Sequence, residues 1–422
     1  MGFLMHIVQV DAFQILDSRG LPAVECRLTL ADGAVIVASC PSGASTGRHE
    51  AHELRDNNAA LYHGKGVLTA VEHIKRAIAP SILLGKSPNI VAMDKQLIAL
   101  DGTKDCSALG ANAMLAVSIA VIRAQAWVEG VELFELINTL WDFPEPMLPR
   151  CMFNVLNGGM HADGDLVFQE FLAIPSQSDF SQSLACVDDF YHQLKIVLHQ
   201  AGYGTAIGDE GGFVPAFSNK AMMPEEQALQ LLQQAAEQFS WGAESMSFGL
   251  DVAATHFYDT GANRYKLHEQ ALTAPELIEL YKKLQQQFPL VSLEDGLAED
   301  DWQGWQWLNA KLGDTVQIIG DDLLVTNTNR IQQGLVEKAM NAVLIKPNQI
   351  GTVSRTIEAI KLCQEQRLST IISHRSGETN DDFIADLAVG SAAGQLKAGA
   401  PVRGERVAKY NRLLWIAEML NS

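Results

Sequence analysis

Apolar and polar residues alternate in short runs over the first part of the chain. Between residues 6 and 40, the segment VECRLTLADGAVIVAS places apolar side chains at nearly every second position, the pattern of strands with one buried face. Asp32-Gly33 separates two such runs, and this dipeptide favours a tight hairpin turn. The pattern predicts a small antiparallel sheet at the start of the chain.

Helical patterns follow this sheet. The segment LGANAMLAVSIAVIRAQAWVEG, residues 109–130, is rich in alanine, largely apolar and closed by a glycine, as a buried helix is. Three prolines then occur within WDFPEPMLPR, residues 141–150, where they interrupt regular structure. We therefore predict an N-terminal α+β domain over residues 1–140 and a second domain over residues 145–422.

A repeated arrangement occupies the second domain. Helical segments such as APELIELYKKLQQQF and VSRTIEAIKLCQEQ separate apolar, strand-like runs. These runs end at six polar residues: Asp251, Glu294, Asp321, Lys346, His374 and Lys397. Alternating strands and helices predict a parallel sheet, and this many units close into an α/β barrel of the TIM type. The carboxyl ends of barrel strands meet at one mouth, so we expect the six side chains to converge.

Three of these side chains are acids from consecutive strand ends. Asp251, Glu294 and Asp321 offer hard oxygen ligands, which suit a Mg²⁺ ion that keeps further positions for water and substrate. Any one of them alone would more often cap the following helix or pair with a nearby lysine. The same placement three times in succession favours a metal site.

Two of the side chains are lysines. Lys346 follows the apolar run AVLI and precedes Pro347, where burial of an ammonium group is costly unless something compensates it. Positive neighbours favour the neutral amine, so Lys346 and Lys397 beside a divalent cation would suit general-base use. The simpler alternative for each is a strand-end lysine whose ammonium group reaches solvent.

Glycine-bearing motifs add further candidates. AIGDEGGF places Glu210 before two glycines, and we expect it at another strand end. FNVLNGGMHADGDLVFQEFL carries His161 on a glycine-bearing loop, with Gln169 and Glu170 beyond it. PSGASTG, residues 41–47, is a loop of small residues whose hydroxyls can reach a metal or a phosphate, although such a loop is more often an ordinary turn. Glycines of this kind permit close ligand approach or loop movement.

Composition and charge limit the function. With 422 residues, 47% of them hydrophobic, the chain can form two domains or one barrel with an appendage. A formal net charge of −19 argues against nucleic acid and anionic membrane surfaces as partners, because both favour basic protein surfaces. An anionic substrate would need local cations, from metal ions or from clustered lysine and arginine.

The cysteines and the first residues bear on location. Six cysteines lack the CxxC or paired metal-binding spacing and lie mostly in apolar segments: Cys26, Cys40, Cys106, Cys151, Cys186 and Cys363. They are typical of reduced core residues, so we expect a cytoplasmic protein. The first ten residues resemble neither a signal peptide nor a myristoylation motif, and Met1 and Met5 both remain candidate starts. No apolar run approaches the roughly 20 residues of a membrane helix, so we expect no membrane span.

Taken in order, the motifs of this chain resemble those of the enolase family from residue 17 to residue 414. The matching segments are DSRG, PSGASTG, NGG-H, QEF, GDEGG, SLED, GDDLLVTN, KPNQIGT, SHRSGET and AKYN. The resemblance implies reversible dehydration of 2-phosphoglycerate to phosphoenolpyruvate with two Mg²⁺ ions, in a barrel that begins irregularly with two strands and then two helices. A Lys or His base with Mg²⁺ is general to this superfamily.

The resemblance also implies roles for individual residues. Asp251, Glu294 and Asp321 would hold the first Mg²⁺, and Ser45 would help to hold a second one that bridges to the substrate phosphate. Lys346 would remove the C2 proton, and Glu210 would assist departure of the 3-hydroxyl, directly or within a relay. The remaining substrate contacts would come from Arg375 and Ser376 on the phosphate, Lys397 on the carboxylate, and a polar lining of His161, Gln169, Glu170 and His374.

Some positions depart from the usual motifs of the family. They are Leu21, Met160, Gly404 and the segment PAFSNKAMM, residues 215–223. None replaces a residue with an implied chemical role. They leave open a specialised paralogue acting on a related phospho- or phosphono-substrate, and a non-catalytic scaffold is a further alternative.

The resemblance has consequences for partners and location as well. Family members form at least dimers, and DSRG resembles a segment used in that contact, so we expect a homodimer or a homo-octamer. Some members also have a cell-surface or secreted pool.

Overall fold

The N-terminal part of the protein forms an antiparallel sheet. The computed structural model describes residues 5–43, 47–162, 164–217 and 222–421. Strands β1 (Ile7–Leu16), β2 (Pro22–Leu30) and β3 (Val35–Cys40) pair in the order β1-β2-β3, which confirms the predicted sheet. Gly33 forms the turn between β2 and β3 with a φ of 91°, a conformation that glycine adopts without strain.

Four helices complete this part of the chain. They are α1 (Leu68–His73), which continues as a wider helical segment over Ile74–Leu83, α2 (Ile90–Asp101), α3 (Ala111–Glu129) and α4 (Leu133–Leu140). Helix α3 packs on β2 and β3 and ends at Gly130, as predicted. By length and composition α3 is the one described helix that could cross a membrane, with a mean hydropathy of 1.4, but 83% of it is buried within the fold. It is the core helix of the N-terminal part.

The rest of the chain forms a closed barrel of eight strands with helices around it. Between α4 and the barrel lies the proline-bearing connection, and the domain boundary placed there stays a prediction. The first elements of the barrel are β4 (Arg150–Asn157), β5 (Glu170–Pro175), α5 (Phe180–Gln200), α6 (Pro224–Gln238) and β6 (Met246–Asp251). A small separate sheet follows, made of β7 (Tyr258–Asp259), β8 (Arg264–Leu267) and β9 (Gln270–Leu272). The barrel then continues with α7 (Ala274–Gln287), β10 (Leu290–Glu294), α8 (Trp302–Leu312), β11 (Gln317–Gly320), α9 (Thr328–Glu337), β12 (Ala342–Ile345), α10 (Val353–Glu365), β13 (Ser369–Ser373), α11 (Phe383–Gly390), β14 (Gly394–Lys397) and α12 (Gly404–Asn421).

The direction of the strands shows how the barrel begins. β5 runs antiparallel to both β4 and β6, whereas the other neighbouring pairs are parallel. The barrel therefore starts with two strands and then two helices, as the resemblance implied. The small sheet β7–β9 lies between Asp251 and Glu294 and accounts for the longest interval between strand ends.

Alternation along β12 explains why Lys346 points into the barrel. Ala342 and Leu344 belong to a cluster of strand residues inside the barrel, whereas Val343 and Ile345 belong to the larger core that includes the surrounding helices. Successive strand side chains point to opposite faces, so Lys346 takes the inner side at the end of the strand. The apolar cluster below it closes the barrel floor to water.

Side chains from the N-terminal helices cap α10, which follows the Lys346 strand. The Asp94 carboxylate on α2 accepts a hydrogen bond from the Ser354 backbone N–H at 2.9 Å, and the Ser118 hydroxyl on α3 accepts one from Val353 N–H at 2.9 Å. These bonds satisfy donors that a helix N-terminus leaves without partners. The two parts of the chain are thus joined next to the barrel mouth.

We predict that Asp94 makes stability depend on pH. Burial raises the pKa of Asp94 to about 6 from 3.8, more than the hydrogen bonds from Ser354 and Ser118 lower it. A raised folded-state pKa contributes stability that is present below pH 3.8 and lost as the pH rises through about 6. The free energy of unfolding of Asp94→Asn minus that of wild type should therefore increase by on the order of 1 kcal/mol from pH 5 to pH 8. Denaturant unfolding at both pH values measures this, with the exposed carboxylate variant Asp188→Asn as a control. An unchanged difference between Asp94→Asn and wild type at the two pH values would contradict it.

Candidate active site

The six strand-end side chains converge at the mouth of the barrel. Asp251, Glu294 and Lys397 are the last residues of their strands, and the other three directly follow theirs: Asp321, Lys346 and His374. Five of the six are buried, and the side chain of Lys346 is 14% exposed. A small pocket at the mouth is lined by His161, Gln169, Glu170, Glu210, Asp251, Lys346, Ser373, His374, Arg375, Ser376 and Lys397. The predicted convergence is confirmed.

Lys397 lies among three carboxylates. Its Nζ is 2.9 Å from Oε2 of Glu294, 3.0 Å from Oε2 of Glu170 and 3.3 Å from Oδ2 of Asp251. Burial alone would favour the neutral amine, but these carboxylates outweigh it and hold the pKa of Lys397 well above its ordinary value. Lys397 is therefore a fixed positive charge, and the alternative of a lysine that reaches solvent is wrong for it.

Lys346 is paired with Asp321. Its ammonium group contacts Oδ2 of Asp321. Burial lowers the pKa of Lys346, but the charge of Asp321 raises it by more, so that the pKa is about 12. In this arrangement Lys346 carries a proton. General-base use of Lys346 therefore requires that the Asp321 charge be engaged by something else.

Carboxyl groups outnumber lysines among the described residues at the mouth. Asp251 and Glu294 are register neighbours in β6 and β10. Burial and then repulsion by Asp251 raise the pKa of Glu294 to about 8. Among the described residues, Asp295, Asp321 and Asp322 form a group in which one carboxylate oxygen from each lies within 4.8 Å of the other two. The predicted set of Asp251, Glu294 and Asp321 does not meet this distance.

A second group brings together two carboxylates and two histidines. Nδ1 of His161 lies 3.8 Å from Oε1 of Glu170 and 3.6 Å from Oε1 of Glu210, and Nε2 of His374 lies 3.7 Å from Oε2 of Glu210. Glu210 also accepts a hydrogen bond from Asn154 at 2.8 Å. Glu210 lies in the loop between α5 and α6, so the expectation that it ends a strand is wrong.

The two carboxylates of this group differ in acidity. Burial and then the charge of Glu210 raise the pKa of Glu170 well above its ordinary value. Burial acts on Glu210 too, but His161, His374, Arg406 and Lys397 together hold its pKa well below the ordinary value. Burial lowers the pKa of both histidines more than the charge of Glu210 raises it. The opposite directions of the two carboxyl pKa shifts favour the proton on Glu170 over Glu210.

The residues expected to contact phosphate lie on the loop after β13. The Arg375 guanidinium donates to both oxygens of Glu50, at 2.9 and 3.1 Å, and to Oδ1 of Asn348 at 2.8 Å. The hydroxyl of Ser376, which is buried, accepts a hydrogen bond of 3.4 Å from Arg19.

The side-chain amide of Gln169 donates a hydrogen bond to Oδ2 of Asp251 at 3.3 Å. Ser45 lies outside the described residues.

Sequence reasoning missed several supporting residues. The Asp295 side chain accepts from the backbone N–H groups of Asp321 and Asp322, at 2.9 and 2.8 Å, and so orients that turn. Arg406 is fully buried, with Nη1 2.5 Å from Nδ1 of His374 and 2.6 Å from the Arg375 carbonyl oxygen. Asp295 lies next to Glu294 in the SLED motif and could have been found there, whereas no local signal marks Arg406.

Buried carboxylates paired with lysines at the mouth of an α/β barrel are typical of an enzyme active site. A family model described as the enolase C-terminal TIM barrel domain matches residues 145–422, and one described as the enolase N-terminal domain matches residues 7–137. The chain belongs to the enolase family, and it is an enolase-superfamily lyase acting on a small molecule.

The donors at the mouth fit a divalent cation. Members of the family generally depend on Mg²⁺, and carboxylate oxygens are its preferred protein ligands. Burial and then repulsion by Asp251 raise the pKa of Glu294, and a bound cation would relieve that repulsion. Asp321 is the one residue that belongs both to the ligand set predicted from the sequence and to the group of Asp295, Asp321 and Asp322.

Proposed function

We propose that this protein catalyses the Mg²⁺-dependent, reversible dehydration of 2-phosphoglycerate to phosphoenolpyruvate. The observation that carries the proposal is one cavity lined both by Lys346 and by the pair Glu170 and Glu210, with Lys397 among the carboxylates. Dehydration of a 2-phospho-3-hydroxy acid needs a base for the C2 proton and an acid for the departing hydroxyl. The cavity holds one candidate group for each step.

The cost of the first step lies in charge. Removal of a proton next to a carboxylate places a second negative charge on that carboxylate, and Lys397 is a fixed cation suited to oppose it. Mg²⁺, when bound by Asp251, Glu294 and Asp321, supplies further positive charge against the developing dianion. We assign a second ion to Ser45 from the family resemblance alone.

Lys346 is the proposed base. If Asp321 ligated a cation, its carboxylate would favour the ammonium form of Lys346 less, which would lower the pKa of Lys346 towards a value suited to proton removal. Arg375 and Ser376 are the proposed phosphate contacts. His161, His374 and Gln169 complete the polar lining around the substrate.

Glu170 and Glu210 are proposed to act as one unit in the second step. In this proposal Glu170 carries the proton and Glu210 accepts a hydrogen bond from Asn154, so that the pair supplies one proton to the leaving hydroxyl. This corresponds to the relay form of the role first assigned to Glu210.

We predict that Glu210→Gln separates the two steps. The substitution leaves Lys346 intact, so exchange of the C2 proton with deuterated solvent should persist while dehydration falls by about 10²- to 10⁴-fold. NMR of the substrate measures exchange, and ultraviolet absorbance of the enol product measures dehydration. Glu170→Gln should behave in the same way. Equal losses of exchange and dehydration in Glu210→Gln would assign the residue to the first step instead.

A substrate comparison tests the proposed function against its alternatives. Wild-type protein with Mg²⁺ should dehydrate 2-phosphoglycerate with a higher kcat/KM than a phosphono analogue of it. A specialised paralogue would favour the analogue, and a scaffold would turn over neither. Among the departures from the family motifs, Met160 directly precedes His161 and is 57% exposed.

We also propose a cytoplasmic homo-oligomer, either a dimer or an octamer. The N-terminal sheet carries exposed apolar side chains that a contact between subunits would bury: Phe13, Leu16, Val35 and Val37. The DSRG segment directly follows β1. Sedimentation velocity of the purified chain decides the state.

A further inference from the structure

The turn that follows Asp321 has an unusual backbone. Val325 and Thr326 have φ angles of 42° and 54°, although β-branched residues rarely adopt positive φ. Thr326 is fully buried, and the Val325 N–H donates to the Asp321 carbonyl oxygen at 2.7 Å. Such strain persists only where surrounding contacts enforce it, and it concentrates at functional sites. The question is what this turn places correctly.

The turn places the Thr326 hydroxyl between two groups. The hydroxyl oxygen accepts from the Lys346 backbone N–H at 2.8 Å, and the hydroxyl donates to Oε1 of Gln349 at 2.8 Å. Gln349 is 1% exposed, and its Nε2 donates to Oδ1 of Asp321 at 2.9 Å. The other oxygen of Asp321 accepts from the Lys346 ammonium group. A closed ring of hydrogen bonds thus runs from the Lys346 backbone back to the Lys346 side chain.

The ring has only one consistent polarity. An ionised Asp321 can only accept, so the Gln349 amide must turn its nitrogen towards Asp321 and its oxygen towards Thr326. The Thr326 hydroxyl must then donate to Gln349, which leaves its oxygen free to accept from Lys346 N–H. No member can rotate without leaving a buried polar group without a partner, which is costly.

The same ring contacts the N-terminal part of the protein. The backbone carbonyl oxygen of Gln349 accepts a hydrogen bond from the Ala51 N–H at 2.9 Å. The side-chain Nε2 of Gln349 lies 3.4 Å from Oε1 of Glu50. Glu50 also holds Arg375. The ring is therefore connected to the segment that follows PSGASTG.

We propose that Thr326 and Gln349 are positioning residues that fix Asp321 and Lys346 for proton removal, an inference that rests on the proposed function. They act through these two residues rather than on the substrate. Thr326 sets the start of the Lys346 side chain, and Gln349 sets the plane of the Asp321 carboxylate. Neither has an implied role in the family motifs named above.

The first test uses Thr326. Thr326→Val keeps the shape and removes the hydroxyl, so kcat should fall about 10- to 100-fold with KM nearly unchanged. Thr326→Ser restores the hydroxyl and should retain most of kcat. The control is Thr370→Val in β13, a buried threonine whose hydroxyl donates to the Ala393 carbonyl oxygen at 2.9 Å.

The second test uses Gln349 and needs no turnover. Gln349→Met conserves volume and removes both hydrogen bonds, so calorimetric titration with Mg²⁺ alone should show affinity about 10- to 100-fold below wild type. In the kinetic assay, the double variant Thr326→Val/Gln349→Met should lose little more kcat than either single variant, because both break one ring.

The outcomes separate this inference from the proposed function. Equal kcat in Thr326→Val and Thr370→Val, or no recovery in Thr326→Ser, overturns the inference. If wild type does not act on 2-phosphoglycerate, the proposed function fails, and Mg²⁺ affinity alone decides the role of Gln349. Unchanged Mg²⁺ affinity in Gln349→Met, or no Mg²⁺ binding by wild type, then overturns the inference too.

Discussion

Lys346→Ala is expected to abolish both C2 proton exchange and dehydration of 2-phosphoglycerate. The substitution removes the only proposed base, so each rate should fall by at least the roughly 10²- to 10⁴-fold typical of acid and base groups. Wild type should exchange the C2 proton with deuterated solvent whenever the intermediate returns to substrate faster than it loses hydroxide. NMR of the recovered substrate measures that exchange.

The fold provides a control for this variant. Lys283→Ala removes an exposed lysine on α7, whose ammonium group lies 3.3 Å from Glu226, and should leave both rates unchanged. Thermal unfolding checks that Lys346→Ala remains folded. If Lys346→Ala still exchanged the C2 proton at nearly the wild-type rate, the base would lie elsewhere, and Lys397 or Glu170 would be the next candidates.

Asp321→Asn is expected to lose most activity without unfolding. Asp321 is a proposed Mg²⁺ ligand and the partner of Lys346, so the amide weakens the metal site and removes the charge that pairs with the ammonium group. Kinetics at increasing Mg²⁺ concentration should show a large loss of kcat that added Mg²⁺ recovers only in part. Asp314→Asn, on the exposed connection before β11, is the matched control. Wild-type activity in Asp321→Asn would remove this residue from the metal site.

Much of the fold followed from local patterns. Alternation in the first strands, the glycine-closed apolar helix α3 and the repeated strand ends all gave elements that the structure contains. The convergence of Asp251, Glu294 and Lys397 also followed, because topology alone brings the carboxyl ends of barrel strands together. Residue parity along β12 was sufficient to place Lys346 on the inner side.

What could not be predicted depends on contacts between distant segments. Glu210 lies on a loop, and its low pKa depends on two histidines and an arginine from other parts of the chain. The pairing of Lys346 with Asp321, which raises the pKa of the lysine, has no signal in the local sequence of either residue. The position of Thr326 depends on a strained turn, for which its sequence gives no local signal. The role of Ser45 stays a prediction.

The measurement that tests the central claim most directly is turnover of 2-phosphoglycerate by the wild-type protein before and after treatment with EDTA, and again after Mg²⁺ is restored. The product's ultraviolet absorbance reports the rate. We expect dehydration with Mg²⁺, its loss in EDTA, and its recovery when Mg²⁺ is added back, because a cation held by Asp251, Glu294 and Asp321 would offset the negative charge that develops on the substrate carboxylate. Undiminished turnover in EDTA, or no turnover of 2-phosphoglycerate with Mg²⁺ present, would contradict the account.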